Sequence, residues 1–377
     1  MRILLIGPEH DAGSVPPYLA VLAAGLRAQG ATVDRLGSRT PPVDDRGAFW
    51  PAERIVAAAD ALLAGVDLCA YDLLSVHFGN NETEQLLPVR WAGRPRPPAV
   101  HHLQSLGWTL FSTQVVHRTL WAAVVDGVHR MDGLVYFGSY ARQALATTPA
   151  ARVPSEVAFM PTTIPDGATA TAPSRQPPAL RDLSVDDGRL RATLYGFASP
   201  WKDVPRLLAA FERMRRPLRF TLLGPSWDAP PHAGVDLAAA VHPRRRRWGP
   251  VQVTVAPRYL AAHQRLALVE ATDLAVLPYR EHPGFQGSGA VTDYLARGVP
   301  VVATDVANMR ELVGDAGVIV PAGDPAALAA ALDRVAGDRD FLARLRAAAC
   351  RRAALFSPAT HAIRSLAFFR RVMQGMR

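Results

Sequence analysis

The chain holds 41 arginines and one lysine. That lysine, Lys202, lies in "YGFASPWKDVPRLLAAF", residues 195–211. Arginine replaces lysine at most solvated positions, so a lysine kept in such a chain points to work for a compact ammonium. Chance survival is the bland alternative. Lys202 follows a strand-like run, "ATLYGFA", and opens a helix-like one, where the dipole does not favour a cation. Gly196, just upstream, lets backbone approach closely. The chemistry that fits is a point charge on an anion, such as a diphosphate whose leaving oxygen gains charge as a bond breaks.

A second constellation is "HPGFQGSGAVTDYLARGVPVVATD", residues 282–305. A strand run, "DLAVLPY", leads into Gly284, Gly287, Ser288 and Gly289, and a helix pattern starts at once. Glycines let amide groups approach a phosphate, and a helix start adds partial positive charge. Asp293, one turn on, is of the type that takes ribose hydroxyls in dinucleotide folds. In the first half, "GPEHDAGSVPPY" places Gly13 and Ser14 in a short loop between strand and helix, suited to a phosphate or a nearby sugar. "SVHFGNNETE" carries His77, Glu82 and Glu84 at a strand end, and Glu9 and Asp11 sit in the first loop. The pair His101-His102 follows the apolar run "PPAV".

The elements that must hold these residues alternate. "RILLIG", "ATVDRLG", "YDLLSVHFG", "PPAVHHLQS", "DGLVYFGS" and "EVAFMPTTI" read as strands with helical stretches between them. Residues 166–190, rich in Pro, Ala, Thr and Ser, read as a linker. The alternation then restarts with "RATLYGFA", "LRFTLLG", "VQVTVA", "DLAVLPY", "VPVVATD" and "AGVIVPA". The pattern implies an α/β chain of two Rossmann-like, doubly wound parallel-sheet domains facing across a cleft. Residues 1–165 form the first, 191–356 the second, and 357–377 a final helix. In such sheets ligands bind beyond the carboxyl ends of strands.

Bulk properties narrow the classes. Residues 1–170 carry 13 Arg against 15 Asp plus Glu, and residues 171–377 carry 29 Lys plus Arg against 18 acids. The basic second half favours an anionic ligand such as a nucleotide. Two distant cysteines, Cys69 and Cys350, fit a reducing cytoplasm rather than a disulfide scaffold. No apolar run reaches the roughly 18 residues of a membrane span, so a soluble protein is expected. No His, Asp or Glu cluster has metal-ligand spacing, so no metal is expected. "HPRRRRWGP", residues 242–250, is one short cluster; it reads as a solvated loop, with RNA binding the competing reading.

On the glycine loop after the first strand, the mid-domain histidine, "YGFASPWKD" and the "ARGVPVVATD" block, the chain resembles the retaining GT-B glycosyltransferases of family 4. The resemblance spans nearly the whole length. It implies a nucleotide-sugar donor, a UDP-sugar first, bound by the second domain without a metal. It implies that Lys202 contacts the diphosphate and that His102 hydrogen-bonds the donor sugar. Arg258 and Tyr259 would line the base. Glu9, Asp11, His77, Glu82 and Glu84 would face an acceptor in the first domain, and the last helix would cross back to that domain. Two departures stand out. Phe285 occupies the family's first acidic position, leaving the donor sugar to the amides of Gln286, Gly287 and Ser288. Phe197 replaces an arginine, leaving more of the diphosphate to Lys202.

A mildly acidic first half suits a soluble acceptor, and its carboxylates suit a cationic amino-sugar or aminocyclitol in natural-product biosynthesis. A lipid or polysaccharide acceptor, a nucleotide-sugar epimerase and a nucleotide-sugar binder without transferase chemistry are the alternatives. The partners expected are small molecules, with no nucleic acid and no integral membrane segment; the oligomeric state is open.

Overall fold

The computed structural model describes residues 1–10, 13–44, 50–79, 82–106, 118–165, 169, 178–183, 187–197, 199–224, 246–282 and 285–375. They form two compact units. One comprises Met1–Pro161, Pro283–Gln286 and Pro358–Arg377; the other comprises Thr162–His282 and Gly287–Ser357.

The strands of the first unit are β1 (Arg2–Ile6), β2 (Thr32–Leu36), β3 (Leu73–Phe78), β4 (Ala99–Leu103), β5 (Gly133–Tyr136) and β6 (Ser155–Val157). Its helices are α1 (Val15–Ala28), α2 (Ala52–Ala64), α3 (Leu87–Arg90), α4 (Arg118–His129) and α5 (Ser139–Ala144). The second unit has β7 (Leu190–Tyr195), β8 (Leu218–Leu223), β9 (Arg246–Trp248), β10 (Val251–Ala256), β11 (Leu274–Leu277), β12 (Val301–Thr304) and β13 (Gly317–Val320). Its helices are α6 (Pro178–Leu183), α7 (Val204–Arg213), α8 (Ala262–Glu270), α9 (Gly289–Leu295), α10 (Met309–Val313), α11 (Pro325–Gly337) and α12 (Arg339–Arg352). The last helix, α13 (Pro358–Gly375), belongs to the first unit and packs on α1.

The first sheet runs β2-β1-β3-β4-β5-β6, all parallel. Helices cover both faces, so its strands are apolar on both sides. Leu4 and Ile6 of β1 meet α2 and α4 residues such as Ile55 and Val124. Ile3 and Leu5 point the other way, to Tyr18 and Leu22 of α1 and Phe369 of α13. This is the period-two alternation of a strand buried on both sides.

The second sheet runs β13-β12-β11-β7-β8-β10-β9. Every pair is parallel except β9 with β10. From β7 the chain winds one way through β8 to β10, then returns to the other side through β11, β12 and β13. Strand order therefore reverses between β7 and β11, the place where an open α/β sheet leaves a crevice at its carboxyl edge.

Two expectations change here. Residues 246–248 of the arginine cluster form an edge strand rather than a loop, joined to β10 through Gly249 at φ 54°; residues 242–245 lie outside the described residues. An arginine-rich edge resists further strand pairing. The strand expected through "EVAFMPTTI" stops at Val157, where its pairing partner β5 ends at Tyr136.

Candidate functional site

β7 delivers Tyr195 to the switch point, and Gly196 turns there at φ 99°. The Gly196 N–H donates to the Leu223 carbonyl at 2.9 Å. A Cβ on Gly224, just past β8, would fall 1.9 Å from the Gly196 carbonyl oxygen, so these loops pack backbone on backbone. The chain then makes a short turn, Pro200–Lys202. Lys202 folds back so that its Nζ donates to the Tyr195 carbonyl at 2.7 Å. A Cβ on Gly196 would stand 2.9 Å from that nitrogen, and the left-handed φ of 99° favours glycine there.

Lys202 is 6% exposed. Among the described residues no carboxylate pairs with its ammonium, whose one hydrogen-bond partner is the Tyr195 carbonyl. Desolvation therefore pulls its pKa down from the ordinary 10.5 to about 7. An ammonium so placed gains from any anion that reaches it. The next residue, Asp203, takes φ 44°, and the other non-glycine residue with positive φ among those described is Ala307, after β12. Both strained positions lie past strand ends of the second sheet, where strain tends to accompany function.

On the adjoining strand, β11, the chain passes Tyr279 and enters the glycine loop. Pro283 and Gly284 lie outside the described residues. Ser288 precedes α9 without capping it by side chain; its Oγ meets the Tyr279 hydroxyl at 3.0 Å instead. Gly287 faces Leu312 and Asn308 of the α10 region, 3.4 and 3.9 Å from where a Cβ would sit. Gly289 opens α9. Phe197 and Tyr259 tilt against each other with ring centres 6.2 Å apart. Tyr259, 46% exposed, and Arg258 lie just past β10. Gly196, Phe197, Lys202 and Tyr259 are thus gathered at the edge where β7, β8 and β10 end.

Asp293 departs from the expected ribose contact. Its side chain is 1% exposed and turned into the unit. One oxygen accepts from the Thr162 hydroxyl at 2.6 Å and the Thr163 N–H at 2.8 Å; the other accepts from the Tyr195 hydroxyl, with Arg265 Nε 3.9 Å away. A carboxylate so engaged is not presented to a ribose. Gln286 groups with the first unit, where its amide nitrogen donates to the Leu103 carbonyl.

The first-unit residues are corrected more broadly. β4 continues through Leu103, so His101 and His102 pair within the sheet instead of following it. His102 is fully buried against Tyr18, whose hydroxyl bridges His102 Nδ1 and His361 Nε2, each at 2.8 Å. His77 is equally buried, 2.8 Å from the Ser75 hydroxyl, and its ring centre lies 4.5 Å from that of His102. Burial holds all four imidazoles neutral. His101 and His361 are lowered to about 4, and His77 and His102 well below the ordinary 6.5. The donor-sugar role of His102 and the acceptor role of His77 therefore give way to core packing.

Among the acids, Glu84 is buried, accepts from the Ser38 N–H, and is raised by burial. Glu82 accepts from the Gly79 N–H at 2.8 Å. Glu9 remains at the surface, 3.9 Å from Arg35. Asp11 lies outside the described residues. Gly13 takes φ 91° and Ser14 precedes α1 without a side-chain cap. Tyr195, Thr162, Thr163 and Arg265 were not singled out from sequence. Only Tyr195 carried a signal, as the last residue of the strand before Gly196.

Among the described residues no helix is long and apolar enough to cross a membrane, and no three His, Cys, Asp or Glu are grouped to hold a metal ion. Residues 192–338 match the family model for glycosyl transferases group 1. No curated protein matches the chain in sequence. A sucrose-phosphate synthase from Thermosynechococcus elongatus is similar over 99% of both chains, with a TM-score of 0.70 at 19% identity. Anabaena HepE, solved in complex with UDP-glucose, is similar over 100% of this chain and 99% of its own, with a TM-score of 0.65 at 16% identity. AviGT4, a glycosyltransferase involved in avilamycin A biosynthesis, is similar over 99% of this chain and 98% of its own, with a TM-score of 0.54 at 18% identity. The second unit therefore carries a region that matches glycosyl transferases group 1, and the two doubly wound units have the GT-B fold of these solved structures.

Proposed function

We propose that the chain moves a sugar from a nucleotide-diphosphate sugar to a hydroxyl of a small acceptor, with retention at the anomeric carbon. The observation that carries this is Lys202: a buried ammonium whose one partner among the described residues is the Tyr195 carbonyl, at the strand-order reversal of the second sheet. The donor diphosphate lies against Lys202 and the backbone of Gly196 and Gly287–Gly289. As the bond from the anomeric carbon to the diphosphate oxygen breaks, charge grows on that oxygen and Lys202 stabilises it. The acceptor hydroxyl attacks from the same face and passes its proton to the departing diphosphate. Lys202 supplies the positive charge, so the reaction needs no metal.

HepE, of the same fold, is solved with UDP-glucose, which makes a UDP-sugar the first donor to try. AviGT4, also of this fold, acts in the biosynthesis of a natural product, the setting we assign here. The acceptor is an amino-sugar or aminocyclitol, with Glu9, a surface carboxylate among the described residues, to meet its ammonium. A second reading, a nucleotide-sugar epimerase or a binder without transfer, draws on Phe285, an apolar side chain where the resemblance calls for an acid.

The test is a thermal-shift screen of the intact chain, wild type and Lys202→Ala, against UDP, GDP, ADP and dTDP with EDTA present. A ligand at about 100 times its Kd stabilises the folded state by about 2.7 kcal/mol. One nucleoside diphosphate should raise the melting temperature of the wild type and not of the variant. No shift with any of them, or equal shifts in both proteins, overturns the reading. Conversion of a nucleotide-sugar without acceptor would favour the epimerase.

A further inference from the structure

We propose that Asp293 is a positioning residue: through Tyr195 it fixes the carbonyl that holds Lys202 Nζ where a diphosphate oxygen arrives. The proposal rests on the donor reading above. Tyr195 is engaged at both ends. Its hydroxyl donates to Asp293, and its carbonyl accepts from Lys202 Nζ at 2.7 Å. Since that carbonyl is the ammonium's one partner among the described residues, a shift of the end of β7 moves the charge itself.

Asp293 is in turn fixed from other directions. The Thr162 hydroxyl and Thr163 N–H reach one of its oxygens at 2.6 and 2.8 Å, and Arg265 lies 3.9 Å from the other. Arg265 also donates to the Thr163 carbonyl at 3.1 Å, and the Thr162 N–H to the Phe356 carbonyl at 2.8 Å, so this anchor is braced by two further segments. The next residue, Tyr294, repeats the tie: its hydroxyl meets the Thr193 hydroxyl at 2.6 Å. Thr193 and Tyr195 share one face of β7. α9 is thereby fastened to β7 at two successive points, one of them the residue that holds the ammonium. One carboxylate ties together the strand behind Lys202, the helix after the glycine loop and the start of the second unit.

Isothermal titration with inorganic pyrophosphate and with UDP separates the roles, because pyrophosphate has no ribose. The proteins are wild type, Tyr195→Phe and Asp293→Asn. Both variants should weaken both ligands by the same factor, about tenfold, as expected for one hydrogen bond to a charged group. If Asp293→Asn weakens UDP and leaves pyrophosphate unchanged, Asp293 is a ribose ligand and the proposal fails. A lowered melting temperature with both affinities intact makes the carboxylate merely structural and also overturns it. Should Tyr195→Phe not fold, the near-isosteric Asp293→Asn decides alone. A wild type that binds neither ligand takes down the donor reading and this one together; a wild type that binds while the variants bind equally well sinks only this one.

Discussion

Replacing Lys202 by methionine keeps most of the side chain's volume and removes the ammonium. The charge sits in a site that lowers its pKa from 10.5 to about 7. At pH 7 the folded state binds the proton less tightly than the unfolded chain by a gap worth about 4 kcal/mol. Against this, the Tyr195 carbonyl loses its donor, at a cost of about 1–3 kcal/mol. The net expectation is that Lys202→Met stabilises the second unit by about 1–3 kcal/mol, raising its melting temperature by roughly 2–10 °C. The sign has a pH signature. The lysine penalty is full below pH 7, shrinks as pH rises toward 10.5, and is gone above it, so the variant's advantage should be largest at pH 6–7 and fade by pH 10. Differential scanning calorimetry at pH 6, 7 and 9 reads this directly, and nucleoside diphosphate should no longer stabilise the variant. A variant less stable than wild type at pH 7, or a gap that widens with pH, would refute the picture of a desolvated ammonium awaiting an anion.

Two further outcomes follow from the same geometry. Because Lys202 is the one lysine in the chain, an amine-reactive label at pH 7.5 should modify it and the N-terminus only, and the bound donor nucleotide should protect it; peptide mass mapping checks this, and labelling indifferent to nucleotide counts against the site. The buried histidines act on the first unit: His101 and His361, with folded values near 4 against 6.5, leave the unfolded chain binding more protons between those values. Stability should therefore fall on acidification, by roughly 4 kcal/mol from this pair between pH 7.5 and 5. Urea unfolding across that range measures it, and a flat profile would mean the imidazoles are not held neutral.

The alternation of strands and helices was readable because parallel strands buried on both faces are unbroken apolar runs. Lys202 stands out in the sequence for a compositional reason, its rarity. His101 and His102 misled because two polar residues after "PPAV" look like the end of a strand, whereas β4 pairs through both of them with β3 and β5. What makes that tolerable is Tyr18 on α1 and His361 on α13, hydrogen-bond partners far away in sequence. Asp293 sits at the spacing of a ligand-binding acid, yet its partners Thr162, Thr163 and Tyr195 come from elsewhere in the second unit. Edge strand β9 was hidden because consecutive arginines carry no strand preference; pairing with β10 alone makes them one.

The return of α13 to the first unit fixes an order of assembly. Phe368, Phe369 and Val372 fill the face of the first sheet that α1 also covers, and His361 completes the hydrogen bonds of Tyr18. All of them are synthesised after the second unit. A nascent chain has the entire second unit in hand before the opening one can close its core, so the half that is made first is finished last. Halting translation at residue 357 would leave Tyr18 and its apolar neighbours open to water, a surface inviting aggregation or chaperone capture.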